Sequence, residues 1–243
     1  MKQLVLSVLL LAAAALSAQG PTRQPQLFQT AAGAVKITPI YHASLVIEAA
    51  GKVIYVDPAS PANYTGLPKA DLILVTHDHY DHLDARSIKA LRKPSTEIWG
   101  PASVAAQQAG VQTIANGQKQ RWGAWTIEAV PMYNLKRGPS AGQLFHDKGR
   151  GDGFVLTFGG KRFYISGDTE NIPEMRTLKN IDVAFVCMNL PYTMTAEEAS
   201  DAILAFRPKI VIPYHYQQTN RQILVDKLKG SGVEVRLLEW YPK

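Results

Sequence analysis

The stretch Leu72-Ile73-Leu74-Val75-Thr76-His77-Asp78-His79-Tyr80-Asp81-His82-Leu83-Asp84 decides how the rest of the chain is read. Its first four residues are continuously apolar and carry no turn signal, the mark of a short strand buried on both faces. A histidine and aspartate cluster follows at once. In an extended segment, residues two apart point the same way, so His77 and His79 can converge on one metal ion. Asp81 and His82, past a bend, can turn toward a second ion beside the first. The chain has 6 histidines in all, and three of them fall inside this cluster, so a solvated polar loop is a poor explanation. Imidazole and carboxylate donors suit zinc, and also iron or manganese.

Working outward, strands come first and strand–helix alternation later. Val35 to Ile40 alternates with period two, and Ser44 to Glu48 with Val53 to Val56 reads as a hairpin around Gly51-Lys52. Helices are expected over Ala85 to Leu91, Ala102 to Ala109, Ala196 to Phe206 and Arg221 to Leu228. Thr195 and Glu198 have capping-box spacing at the start of the third. Strands are expected over Trp125 to Val130, Phe154 to Phe158, Phe163 to Ser166, Ile181 to Cys187, Ile210 to Ile212 and Val233 to Leu238. This order predicts two mixed sheets packed face to face with helices outside. No linker divides residues 34–243, which read as one domain.

Residues 1–20 read as a signal peptide: Lys2, an apolar run from Leu4 to Leu16, then Ser17-Ala18-Gln19-Gly20, with cleavage near Ala18. Thirteen residues of helix reach only about 20 Å, too short for a bilayer core. The expectation is an exported protein, periplasmic or secreted, without stable membrane insertion. Residues 21–33 read as a polar N-terminal arm. Of 243 residues, 46 % are hydrophobic and 19 % charged, which excludes disordered and fibrous classes. The net charge of +6 is spread out, and no basic run marks a nucleic-acid groove. A single cysteine, Cys187, rules out an internal disulfide and thiolate-rich metal sites.

The pattern His77-x-His79-x-Asp81-His82 after a hydrophobic strand resembles the signature of the metallo-β-lactamase-fold hydrolases. Gly167-Asp168-Thr169 after a strand resembles the family's bridging aspartate, and His215 in Ile212-Pro213-Tyr214-His215-Tyr216 resembles its last histidine ligand. Within that family the chain is similar to the branch of ascorbate-6-phosphate lactonase and N-acyl-phosphatidylethanolamine phospholipase D. The likeness there rests on Tyr41-His42-Ala43-Ser44, Asp57-Pro58 and Gly153-Phe154. The resemblance implies an αββα sandwich with His77, His79, Asp81, His82, Asp168 and His215 around one or two divalent ions, Zn2+ before Mn2+ or Fe. It further implies a metal-activated water acting on an ester, lactone or phosphodiester bond, with Asp81 and Asp168 nearest the chemistry and a small anionic or ester-bearing molecule as substrate. An iron-dependent oxidoreductase and a β-lactamase are the alternatives.

One position departs from the family pattern. The strand end where a further histidine is usual reads Val130-Pro131-Met132-Tyr133-Asn134, and His146 lies inside the loop Leu135 to Asp152. Asn134 and His146 are equal candidates, each as ligand or as neighbour of one. His42, Asp57 and Tyr214 are candidates for orienting ligands or meeting substrate. The loop itself, with its Gly, Lys and Arg, reads either as a lid for an anionic substrate or as a solvated connection.

Overall fold

The computed structural model describes residues 24–241. The expected signal peptide lies outside them. Two seven-stranded sheets stack face to face. The first runs in chain order: β1 (Gln26–Thr30), β2 (Gly33–Tyr41), β3 (Ser44–Ala49), β4 (Lys52–Val56), β5 (Leu72–Leu74), β6 (Glu97–Gly100) and β7 (Val111–Thr113). The second comprises β8 (Lys119–Trp122), β9 (Trp125–Met132), β10 (Gly151–Phe158), β11 (Lys161–Ile165), β12 (Val183–Cys187), β13 (Ile210–Tyr214) and β14 (Glu234–Val235). In each sheet the first four strands are antiparallel and the remainder parallel.

Helices α1 (Ala85–Leu91) and α2 (Ala102–Gln107) make the crossovers of the first sheet. Those of the second use α3 (Pro173–Arg176), α4 (Ala196–Phe206) and α5 (Arg221–Leu228). Asp84 caps α1, accepting from the amides of Arg86 and Ser87, and the expected Thr195–Glu198 capping box is present on α4. Alternation along β5 divides the core. Leu72 and Leu74 face the second sheet, whereas Ile73 and Val75 join Ile88, Leu91 and Val104 under α1 and α2. Both faces of this strand are therefore apolar, as its unbroken run required.

The expected αββα sandwich is the observed one. The differences are at edges. Residues 26–30, within the expected polar arm, pair with β2 as an edge strand whose Phe28 packs against Phe163. The last strand is two residues long rather than six. β6, β7, β8 and α3 had no clear pattern because they are three or four residues long, below the length at which periodicity can be read.

Candidate metal centre

The chain leaves β5 at the rim between the sheets, where the carbonyl of Thr76 accepts from the amide of Asp152 at the start of β10. The segment then bends rather than staying extended, and the amides of His82 and Leu83 both return to the carbonyl of His79. His77 and His79 converge, with rings 4.7 Å apart, and the turn that begins at His79 carries Asp81 and His82 back toward them.

Two donor sets lie side by side. His77, His79 and His146 form one, and His42, Asp81, His82 and His215 the other; within each, one donor atom per residue lies within 4.8 Å of all the rest. Asp168 stands between them. Its Oδ1 is 3.4 Å from His82 Nε2, while its Oδ2 is 3.4 Å from His215 Nε2 and 3.7 Å from His146 Nε2. Asp81 Oδ2 lies 3.7 Å from His215 Nε2 and 3.9 Å from His82 Nε2.

Hydrogen bonds behind the donors fix which nitrogen faces inward. Asp57, fully buried, accepts from the amide and hydroxyl of Thr76 and holds His82 Nδ1 at 2.8 Å. The Thr76 hydroxyl also lies 3.0 Å from His77 Nδ1. One carboxylate therefore orients two imidazoles, one directly and one through a hydroxyl. Carboxylates behind ligand histidines commonly act in this way.

The ambiguity between Asn134 and His146 is resolved by geometry. Asn134 Oδ1 accepts from His146 Nδ1 at 2.6 Å and from the His146 amide at 2.8 Å. Its Nδ2 donates to Glu170 Oε1 and to the Tyr192 carbonyl. Every polar atom of this amide is engaged, so Asn134 positions His146, and it is His146 Nε2 that joins His77 and His79. Tyr214 is also a support: fully buried, its hydroxyl accepts from the amide of Gly167, the residue before Asp168. Gly167 has φ +60°, and a Cβ there would meet the Met132 sulfur at 2.7 Å, so only glycine makes this turn without displacing its neighbour.

His42 is placed to touch both a donor and the exterior. Its Nε2 is 3.1 Å from Asp81 Oδ2 and its Nδ1 2.7 Å from the Tyr241 hydroxyl. His42, Asp57 and His215 all hold φ between 46° and 57°, a left-handed backbone that ordinary residues seldom adopt. Such strain gathers at sites where side-chain direction matters more than local stability. Thr76 and Tyr241 were missed from sequence. Thr76 adjoins the cluster and could have been suspected, whereas nothing local links Tyr241 to His42.

Electrostatics sort the donors. Burial lowers the imidazoles of His77 and His79, and pushes His146 down to about 4, so each is neutral with a free lone pair at pH 7. Burial alone would lower His82 too, but the Asp168 and Asp57 carboxylates raise it well above its ordinary value. Burial works against ionising Asp168, yet the neighbouring His215 and His82 hold it well below the carboxylate range.

Whether a metal fits is answered by what these atoms lack. The Nε2 atoms of His77, His82, His146 and His215 and the Oδ1 of Asp168 are buried, and none has a hydrogen-bond partner. Five orphaned polar atoms aimed at one small volume would cost several kcal/mol if left bare. One or two divalent ions satisfy them all.

Comparison with known proteins agrees. The beta-lactamase superfamily domain matches residues 36–215. A UPF0173 metal-dependent hydrolase of Symbiobacterium thermophilum is 33 % identical over 189 residues, covering 74 % of this chain and 80 % of the relative. One from Thermococcus kodakarensis is 30 % identical over 223 residues, covering 84 % and 96 %. The crystal structure of a metal-dependent hydrolase from Parabacteroides distasonis superposes with a TM-score of 0.86 at 43 % identity, over 90 % of this chain and all of that one. The chain belongs to the beta-lactamase superfamily and, within it, to the UPF0173 metal-dependent hydrolases.

Proposed function

We propose that the protein hydrolyses an ester, lactone or phosphodiester bond of a small molecule, with zinc as its metal. The carrying observation is the set of orphaned donor atoms, one group on each side of Asp168, beside a cavity open to solvent. His77, His79 and His146 would hold one ion, and His82, His215 and Asp81 the other, with Asp168 shared between them. The preponderance of imidazole nitrogen supports zinc over magnesium or calcium. When bound, such ions supply an acidic water as nucleophile and an electrophilic partner for the attacked oxygen.

The remaining work falls to the chain. Asp57 and Thr76 keep Nε2 of His82 and His77 inward, and Asn134 does the same for His146. Burial works against ionising Asp81, yet His215 and His42 hold it well below the carboxylate range, so its Oδ2 would orient the nucleophile as a hydrogen-bond acceptor. His42 Nε2 donates to that oxygen and its Nδ1 meets the Tyr241 hydroxyl, a chain that fixes the Asp81 carboxylate in this orientation. The apolar run at residues 4–16 supports export as the setting for this activity.

The test is metal analysis of the purified protein together with hydrolysis of bis-p-nitrophenyl phosphate, aryl and alkyl esters and lactones. Zinc near two equivalents and turnover of one bond class are expected. Bound metal with no turnover in any class would overturn the reading, and iron with redox activity would replace it.

A further inference from the structure

A cavity of about 420 Å³ opens beside Asp81 and His42. Beyond those two residues it is lined by Tyr41, Tyr80 and Tyr241, by Ser60 and Pro61, and by Gln217 and Gln218. Tyr41 and Tyr241 meet edge to face at 5.4 Å, and Tyr216 braces Tyr241 from behind at 5.0 Å. Tyr80 is 86 % exposed, so its ring is free to meet a ligand at the cavity mouth. Burial raises the Tyr241 phenol, which keeps it neutral. Among the described residues no lysine or arginine lines this space.

The cations of the loop that carries His146 are also committed elsewhere. The loop over 135–150 carries four. Lys136 and Arg137 pair with Glu198, and Arg137 lies 3.5 Å from Glu170. Lys148 pairs with Glu174, and Arg150 with Asp78. Phe145 of this loop packs on Tyr192 at 4.9 Å. The loop is fastened to the body of the protein, and its positive charges are neutralised there. An anionic tail in the tyrosine cavity would gain no counter-ion from the walls, and it would face the Asp81 carboxylate.

We propose that the substrate portion remote from the cleaved bond is aromatic and carries no negative charge, and that Tyr41, Tyr80 and Tyr241 select it. Aromatic rings gain from edge-to-face and offset stacking beyond what area burial supplies, and the glutamine amides can serve a neutral polar substituent at the rim. The proposal rests on the hydrolase reading only for where the reacting bond sits, so the test has two arms.

In the first, the zinc-loaded protein is given ethyl phenylacetate, ethyl butyrate and monoethyl succinate, followed by pH-stat. A kcat/KM at least tenfold higher for the phenylacetate than for the succinate is expected, and Tyr80→Ala should lower the phenylacetate-to-butyrate ratio through KM. In the second, the chelated protein is titrated with N-methylphenylacetamide and with N-methylsuccinamate, read by tyrosine fluorescence. Tighter binding of the aromatic amide, weakened in Tyr80→Ala and Tyr41→Ala, supports the inference. Preference for the anionic member in either arm overturns it. If no ester is cleaved but the aromatic amide binds selectively, the bond class fails while the cavity's selectivity stands.

Discussion

The two halves of the molecule, β1–β7 and β8–β14, have the same topology, four antiparallel strands followed by parallel crossovers. They place their chemistry differently. Asp57 follows β4 and Asp168 follows β11, the equivalent strand. The first supports a histidine from behind; the second stands among the donors. His42 sits between β2 and β3, and His146 between β9 and β10. The contrast is greatest after β5 and its counterpart β12. The first connection carries His77, His79, Asp81 and His82. The second carries buried Met188 and Met194, with Asn189 and Thr193 bonded to each other. Topology thus sets which positions reach the rim, and local sequence decides whether a position binds, supports or merely packs.

Replacing the two equivalent aspartates is the strongest way to break that comparison. Asp168→Ala should lose metal and reduce turnover on the order of 10³-fold or more, as should His79→Ala. Asp57→Asn should cost roughly 10- to 100-fold in metal affinity, the usual effect of a supporting carboxylate. Metal content and kcat/KM of the purified variants decide it, and equal losses in the two aspartate variants would erase the proposed division of roles. Asn134→Ala sharpens it further. Weaker binding of only one of the two ions is expected, by roughly 10- to 100-fold, because among the donors the amide supports His146 alone.

Metal binding should also release a proton near pH 7. His82 is raised by Asp168 and Asp57, so it keeps its proton in the metal-free protein and must give it up to coordinate. Affinity should then rise about tenfold per pH unit in that region, and titration in weak buffer should record acidification. An affinity unchanged between pH 6 and 8 would contradict this protonation state.

A smaller effect concerns Asp152, at the seam where the halves meet. Its carboxylate is 1 % exposed, neither oxygen has a hydrogen-bond partner, and burial pushes it up to about 7. The folded protein keeps this proton between about pH 4 and 7, whereas the unfolded chain releases it. Stability therefore falls as pH rises through that window, by on the order of 4 kcal/mol, and levels off above it. Asp152→Asn should gain stability over the parent at pH 8 and much less at pH 5 by urea unfolding. The smallest effect is one the halves should share. Asp84→Ala and Thr195→Ala each remove a cap and should each cost about 1 kcal/mol.

The residue order alone determined the sandwich, the four longest helices to within a residue or two, and the cluster His77-x-His79-x-Asp81-His82. These are local signals: apolar runs, caps, and donors packed into six positions. Only the tertiary structure decided that His146 rather than Asn134 completes the first donor set, that Tyr214 supports a turn, and that Tyr241 reaches His42 across 199 positions. The physical reason is distance along the chain. A side chain's role at the rim depends on which hydrogen bonds its neighbours have already taken, and those neighbours arrive from other loops and strand ends, 12, 47 and 199 positions away, carrying no periodic trace of the meeting in the sequence.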